Sequence, residues 1–305
     1  MRLLLPILTL VLLATACGSG SGDTGPNPSS SHAAVSPSNA ADATEPAQQT
    51  APPARVTPTP APGPPPEDAP LYIALGDSLS YGAGASDRFT TAFVPLVHQS
   101  LAPGMGLLNL GHSGDTSEEL MRHGHLDVAV SEITRRNGDA DPGNDVELVT
   151  LEIGGNDLLD LFFDYVVPGI CPTLEESLQR QECLDIFQVT LDNFGPNLEE
   201  IINRLLAADP GLNLVLMTLY NPFSGNFPVF QPFGELSLEG MPDTPFLEGV
   251  NDIIRAQAQA RGVTLSDVYP LFTGKAREYI AGDIIHPNDV GYRVMADAVI
   301  AAAAQ

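Results

Sequence analysis

Four short segments of the chain combine glycine with residues that can do nucleophilic, base or hydrogen-bonding chemistry. They are Gly76-Asp77-Ser78, Gly111-His112-Ser113-Gly114, Gly154-Gly155-Asn156-Asp157 and Asp283-Ile284-Ile285-His286. A serine hydroxyl becomes an effective nucleophile when a histidine accepts its proton and a carboxylate holds that histidine. Ser78, His286 and Asp283 are therefore candidates for a nucleophile, its base and the group that orients the base.

Two interpretations of Ser78 are open from its own surroundings, "YIALGDSLSYGAG". A buried strand that ends in glycine often makes a tight turn, in which Asp77 and Ser78 only cap the next segment. Alternatively, Ser78 lies at the carboxyl edge of a sheet, where open α/β folds bind their ligands. We interpret Asp77 as a structural residue that stabilises this turn and Ser80 as a residue with no catalytic role.

The spacing of Asp283 and His286 suits a catalytic pair. Asp283 precedes His286 by three residues on one short segment, so its carboxylate can accept from the imidazole Nδ1–H, and Pro287 stiffens the exit. The alternative is a histidine that merely occupies a loop. The other segments have structural alternatives too, since Gly114 can be a turn glycine and Asn156-Asp157 an N-cap pair.

The elements that must position these residues alternate along the chain. Short apolar runs, typical of buried strands, are Leu71–Leu75, Leu107–Leu110, Glu147–Ile153, Leu212–Thr218 and Val263–Asp267. Helical periodicity covers Leu174–Leu206, with a break expected near Gly195-Pro196, and then Phe246–Arg261 and Asn288–Ala304. This alternation predicts an α/β fold, a three-layer α/β/α sandwich around a five-stranded parallel sheet.

The four segments, in this order and at these spacings, resemble the SGNH (GDSL) hydrolase family over residues 71–300. The resemblance implies the flavodoxin-like SGNH fold and a serine esterase with Ser78, Asp283 and His286 as its triad. It also implies an oxyanion hole formed by the backbone N–H groups of Ser78 and Gly114 and by the side-chain amide of Asn156.

A long segment after the fourth run carries Phe223, Phe227, Phe230 and Phe233 and is interrupted by proline and glycine. A loop of this length is often functional, so the four phenylalanines are candidate substrate-binding residues, suited to an acyl chain. The alternative is a satellite apolar cluster that covers the sheet. The chain has no Trp, and sugar binding would favour Trp or Tyr platforms.

The amino-terminal residues have the composition of an export signal and a tether. Residues 1–16 include an apolar run too short to span a bilayer, followed by Ala14-Thr15-Ala16-Cys17. This sequence suits either an A-x-A cleavage site or a lipobox, and we favour lipidation of Cys17, although Ala14 stands where Leu is usual. Residues 17–68 are rich in Pro, Ser and Ala and predict a disordered tether, leaving residues 69–305 as the hydrolase domain.

Cysteine number and charge narrow the class of protein. With Cys17 lipidated, Cys171 and Cys183 remain as a disulfide pair in an oxidising compartment. The expected location is extracytoplasmic, as a membrane-anchored bacterial lipoprotein or else as a secreted protein. A net charge of −25 argues against a nucleic-acid partner. Separately, we expect the protein to be a monomer.

No cofactor or metal is expected. His123-Gly124-His125 lacks the spacing of zinc ligands on a helix, and no acidic residue stands four positions after His125, so we expect these histidines to be exposed. The function expected is hydrolysis of a small-molecule ester or lipid through an acyl-enzyme, with short to medium acyl chains or lysophospholipid-like substrates. The alternatives are a carbohydrate O-deacetylase acting on acetylated glycans, and a catalytically idle surface-binding module of the same fold.

Overall fold

The computed structural model describes residues 63–101 and 104–304. The expected signal peptide, Cys17 and most of the expected tether lie outside the described residues. Within the described ranges, no helix is both long enough and apolar enough to cross a membrane.

All five expected strands form, with slightly different ends. They are β1 (Leu71–Gly76), β2 (Gly106–Asn109), β3 (Val146–Glu152), β4 (Leu214–Met217) and β5 (Thr264–Ser266). The sheet is parallel throughout, in the order β2-β1-β3-β4-β5. This is the doubly wound order in which ligands bind beyond the carboxyl ends of the strands.

Helices cover both faces of the sheet because alternate residues of a strand point to opposite sides. Leu71, Ile73 and Leu75 of β1 belong to one apolar core, and Tyr72 and Ala74 belong to the other. The first core is covered mainly by α3 (Ser117–Arg122), α4 (His125–Asn137), α7 (Gln181–Ala208) and α9 (Val250–Arg261). The second is covered by α2 (Phe93–Leu101) and α12 (Asp289–Ala303). The α/β/α expectation is confirmed.

The remaining helices lie mostly in the connections near the carboxyl edge of the sheet. They are α1 (Ser78–Tyr81), α5 (Gly155–Leu161), α6 (Leu174–Ser177), α8 (Gln231–Glu239), α10 (Tyr269–Phe272) and α11 (Ala276–Tyr279). A single π-helical turn, Phe162–Val166, follows α5 directly.

The expected break near Gly195-Pro196 is wrong. Helix α7 runs unbroken from Gln181 to Ala208 with Pro196 inside it, and the interruption comes earlier, between α6 and α7. A proline in a helix removes one backbone hydrogen bond. Here Phe194 and Leu198, on either side of Pro196, are buried in the core, and their packing holds the helix together despite that loss.

The phenylalanine-rich segment is folded rather than irregular. Part of it forms α8, and its aromatic residues join a third apolar cluster that also contains Phe162 and Phe187. Cys171 and Cys183 are disulfide-bonded and buried in the same cluster. The bond ties the connection after α5 to the beginning of α7 and so supports one wall of the region above the sheet.

Candidate active site

Ser78 stands immediately beyond the end of β1. Gly76 ends the strand with φ +151°, and a Cβ there would come within 2.1 Å of the Glu152 carbonyl oxygen on the neighbouring strand. Asp77 then caps α1, since its carboxylate accepts from the Leu79 N–H at 3.0 Å. Glycine is needed for the close approach and aspartate for the cap, and together they place Ser78 at the start of α1, at the carboxyl edge of the sheet.

Ser78, His286 and Asp283 form one chain of hydrogen bonds. His286 Nε2 lies 2.9 Å from Ser78 Oγ, and His286 Nδ1 lies 2.7 Å from Asp283 Oδ2. The second Asp283 oxygen accepts from the backbone N–H groups of Ile285 and His286, at 3.1 and 3.0 Å. The arrangement lets an imidazole remove a proton from the serine while a carboxylate holds its other nitrogen.

The environment keeps Asp283 ionised. Partial burial raises the pKa of this carboxyl group, but hydrogen bonds from His286 and from the backbone of residues 285 and 286 outweigh burial and leave the pKa below its usual value. Tyr220, on the far side of the segment, donates its hydroxyl to the Ile285 carbonyl at 2.8 Å. Ile284 has φ +66°, an unusual conformation for this residue type, and the tight segment that contains it presents His286 to Ser78.

A second carboxyl group lies beside the Gly76 turn and was not expected from the sequence. Glu152 is fully buried at the end of β3, opposite Gly76 in the sheet register. Burial and the neighbouring Asp77 charge hold the pKa of Glu152 well above its usual value. Burial likewise raises the pKa of Asp77 to about 6, although the Leu79 N–H and His286 act in the opposite direction. The sequence feature that could have indicated Glu152 is its position as an ionisable residue at the end of an apolar strand.

Gly114 and Asn156 follow β2 and β3, the two strands that flank β1 in the sheet. Asn156 Nδ2 donates to the Asp115 carbonyl oxygen at 2.9 Å, which fixes the amide beside the segment that contains Gly114. The remaining amide proton faces Asp77 Oδ2 at the longer distance of 3.3 Å. Gly114 has φ +97°, which favours glycine, and a Cβ there would meet nothing within 4 Å. Asp157 binds the two segments together through the Ser117 N–H and hydroxyl, at 2.9 and 2.6 Å.

An apolar cavity opens at the serine. It has a volume of about 750 Å³, counting the space open to solvent at its mouth, and Ser78, Asn156 and His286 line it at one end. The rest of the wall is largely hydrocarbon, including Leu158, Leu161, Phe162, Phe223, Phe233 and Leu238. Gly114 is not among the lining residues.

The carboxyl-edge serine, its histidine and the apolar cavity are features that esterases share, and a family comparison decides the class. Residues 74–294 match the GDSL-like lipase/acylhydrolase family. The chain belongs to this family. It is accordingly a carboxylic ester hydrolase, as the sequence analysis expected.

Relatives of this GDSL-like hydrolase include lipases and esterases. The spore germination lipase LipC of Bacillus licheniformis is 24% identical over 234 residues, covering 76% of this chain and 95% of the relative. A lipase from a goat rumen metagenome superposes with TM-score 0.53 at 20% identity, covering 77% of this chain and 97% of the other. An acetylxylan esterase from Geobacillus stearothermophilus gives TM-score 0.50 at 17% identity, with coverages of 79% and 97%. At such identities the structural likeness shows the fold alone.

The four phenylalanines singled out in this GDSL-like hydrolase occupy two kinds of position. Phe223 and Phe233 line the cavity. Phe227 and Phe230 are outside its lining and pack behind Phe223, with ring centroids 6.2 and 5.6 Å from that of Phe223. The segment therefore provides both a wall of the cavity and the support behind that wall.

The expectation that His123 and His125 are exposed is confirmed for His123 and wrong for His125, which is half-buried. Both histidines face Asp115, at 2.9 and 3.6 Å. His112 joins them, with its Nδ1 2.6 Å from Asp115 Oδ1. The sequence pattern missed this cluster because the carboxylate precedes the two histidines by eight and ten residues, and α3 turns the chain back between them.

Proposed function

We propose that this GDSL-like hydrolase cleaves esters of short to medium acyl chains through an acyl-enzyme on Ser78, with His286 as base and Asp283 as the residue that orients it. The observation that carries the proposal is the position of the Ser78–His286 pair at one end of a cavity whose walls are mostly apolar. A surface that can bury an acyl chain beside this pair supports the proposal.

In the first half of the reaction, His286 Nε2 accepts the Ser78 hydroxyl proton as Oγ attacks the ester carbonyl carbon. The tetrahedral intermediate collapses when the bond to the alcohol oxygen breaks and His286 gives its proton to that oxygen. In the second half, a water molecule loses a proton to His286 and attacks the acyl carbon, and Ser78 Oγ leaves with that proton. Asp283, with its lowered pKa, stabilises the imidazolium formed in each half.

The negative charge on the carbonyl oxygen needs donors already in place. We assign this role to the backbone N–H groups of Ser78 and Gly114 and to the Asn156 amide. The bond from Asn156 to the Asp115 carbonyl supports the assignment because it holds one amide proton and leaves the other, only weakly bonded to Asp77, for substrate. Gly114 lies one residue from that anchored carbonyl.

The hydrocarbon wall favours an acyl chain longer than acetyl. Burial of apolar surface is worth about 0.8 kcal/mol for each methylene. An acetyl group has no methylene to place against Phe223 or Phe233, whereas butyryl and hexanoyl chains do. Lipids or other small esters are accordingly the proposed substrates, and acetylated glycans are the competing class.

We also propose that the enzyme is exported and anchored by a lipid on Cys17. The apolar run and the Ala14-Thr15-Ala16-Cys17 segment support this, as does the bond between Cys171 and Cys183, since disulfides persist in oxidising compartments. Cys17 itself lies outside the described residues. A monomer anchored in this way meets lipid or small-ester substrates at the cell envelope.

A panel of p-nitrophenyl esters from acetyl to decanoyl, assayed beside acetylated xylan, tests the substrate. We expect kcat/KM to rise by up to roughly fifteenfold from acetyl to butyryl and to level off once the cavity is filled. A preference for acetyl esters over every longer chain, together with activity on the acetylated glycan, would assign the enzyme to the deacetylases instead.

A further inference from the structure

A cluster of three histidines and one aspartate lies beside the Gly114 segment and is not part of the proposed reaction. One ligand atom from each of His112, Asp115, His123 and His125 lies within 4.8 Å of every other. His112 and Asp115 come from the loop after β2, while His123 and His125 flank the turn between α3 and α4. Imidazole nitrogen and carboxylate oxygen together form a typical donor set for zinc.

The aspartate carries an unsatisfied atom that faces the histidines. The Asp115 side chain is 1% exposed, and its Oδ1 accepts from His112 Nδ1 and His123 Nδ1 at 2.6 and 2.9 Å. Its Oδ2 is buried and makes no hydrogen bond within the described part of the chain. The His125 Nε2 atom is 3.6 Å from Oδ2, too far for a hydrogen bond. A buried carboxylate oxygen left in this way is costly unless a cation satisfies it.

We propose that His112, Asp115, His123 and His125 bind one divalent transition-metal ion of the zinc class. Bonds of about 2.0–2.2 Å in a tetrahedral site put ligand atoms roughly 3.3–3.6 Å apart. The Asp115 Oδ2 to His125 Nε2 distance already falls in this range. The two contacts to Oδ1, at 2.6 and 2.9 Å, must lengthen by about 0.4–1.0 Å as the ion replaces the hydrogen bonds, and His112 and His123 bind through Nδ1 with their ring protons on Nε2.

The ion would hold the Gly114 segment in place. Gly114 is the residue before Asp115, and the Asp115 carbonyl accepts from Asn156. A metal that joins residues 112 and 115 to residues 123 and 125 fixes this loop to the beginning of α4. The four ligands are absent from the cavity lining, so the ion acts through the loop rather than on the ester. An effect of the ion on catalysis depends on the proposed role of Gly114 in the reaction. Binding of the ion by the four residues does not depend on that role.

Calorimetric titration of the full chain, expressed without a histidine tag and stripped with chelator, measures the site directly. With ZnCl₂ as titrant, we expect one ion per chain with a micromolar or lower Kd. His123→Gln and His125→Gln should each weaken binding by at least about tenfold. His98→Gln is the matched control, because His98 contacts the Met105 carbonyl and is not part of the cluster.

Thermal unfolding separates metal binding from loss of the fold. Zinc should raise the midpoint of the wild type and of His98→Gln but not of the two cluster variants, while all four midpoints agree closely in chelator. If one cluster variant is unfolded, the other and His112→Gln carry the test. No binding to the wild type, or equal binding by all the variants, would overturn the proposal, as would zinc binding that is lost only in His286→Gln.

Turnover supplies a separate readout. If the ion holds the Gly114 segment, zinc should raise kcat of the wild type and leave kcat of His123→Gln unchanged. Zinc that binds with the expected pattern but leaves kcat unchanged would refute the positioning role alone. Suppose instead that the wild type lacks esterase activity both with zinc and without it, while zinc binding is still weakened only in the cluster variants. That result would count against the proposed function and not against the metal site.

Discussion

His286 Nε2 lies 2.9 Å from Ser78 Oγ although 208 residues separate the two in the chain. The serine is presented at the end of β1 by the Gly76 turn and the Asp77 cap. The histidine is presented by a tight segment before α12, which the Tyr220 hydroxyl holds through the Ile285 carbonyl. Neither element brings the two side chains together alone, and their meeting at the carboxyl edge of the sheet supports the proposed acyl-enzyme on Ser78.

Replacing Asn156 with alanine should lower kcat by roughly 10²–10³-fold with a smaller change in KM. The reason is that the amide is used mainly when charge develops on the carbonyl oxygen. Steady-state kinetics on a butyrate ester measures both constants. Exposed Asn193 offers a control, since Asn193→Ala should leave them unchanged. A change confined to KM would make Asn156 a substrate-binding residue.

Phe223→Ala should flatten the dependence of kcat/KM on acyl length, because it removes part of the wall against which the chain packs. Acetyl esters, which do not reach that wall, should be hydrolysed as before. Phe227→Ala is the matched variant, since Phe227 lies outside the cavity lining. The same ester panel, run on both variants, checks this; equal flattening by both would show that the effect comes from general loosening of the aromatic cluster.

Much of this site follows from the sequence because its residues stand at strand ends, where parallel topology brings distant segments together. The order of the serine, glycine, asparagine and histidine segments places Ser78, Asn156 and His286 on one edge once the strands are located. The continuous α7 helix does not follow, since local propensity disfavours Pro196 and only tertiary packing around Phe194 overrides it.

The histidine cluster and Glu152 were missed for a different reason. Metal-ligand patterns are recognised when donors lie a few residues apart on one element, whereas Asp115 reaches His123 and His125 across a turn of the chain. Glu152 looks like the polar end of a strand until the sheet register sets it opposite Gly76 and so close to Asp77. In both cases the chemistry depends on an approach in space that spacing in the sequence does not encode.

Asp77 should make the protein less stable as pH rises from about 4 to 6. Burial raises its folded-state pKa to about 6 from an ordinary value of 3.8, so the folded state keeps a proton that the unfolded chain has lost. This stabilisation is present below about pH 4 and is lost as pH rises through about 6, and the raised pKa of neighbouring Glu152 acts in the same direction. Urea unfolding at pH 4 to 7 should show this slope in the wild type and a smaller one in Asp77→Asn.

Carboxyl groups with a lowered pKa change the free energy of unfolding over a different pH range. Asp283 and Asp289 have pKa values below the usual 3.8, so their contribution is lost only as pH falls below about 4. Exposed Asp185 provides the control substitution, Asp185→Asn, which should keep the slope between pH 4 and 6. An identical slope in Asp77→Asn and the wild type would assign the titration to another group.

The bond between Cys171 and Cys183 should stabilise the fold by about 3 kcal/mol, because it closes a short loop and restricts the unfolded chain. The double variant Cys171→Ser/Cys183→Ser should therefore unfold at lower urea concentration. Thiol titration of the denatured, unreduced exported protein should find neither cysteine reactive, with Cys17 modified or removed. Two reactive thiols in the domain would contradict both the bond and the proposed compartment.

The central claim is that Ser78 is the nucleophile, and covalent labelling by a fluorophosphonate, followed by peptide mass spectrometry, tests it most directly. Ser237 lines the same cavity, which makes Ser237→Ala the matched control. We predict one adduct per chain, on Ser78, in the wild type and in Ser237→Ala, and neither adduct nor ester hydrolysis in a folded Ser78→Ala. Labelling and near-normal turnover that persist in Ser78→Ala would contradict the account.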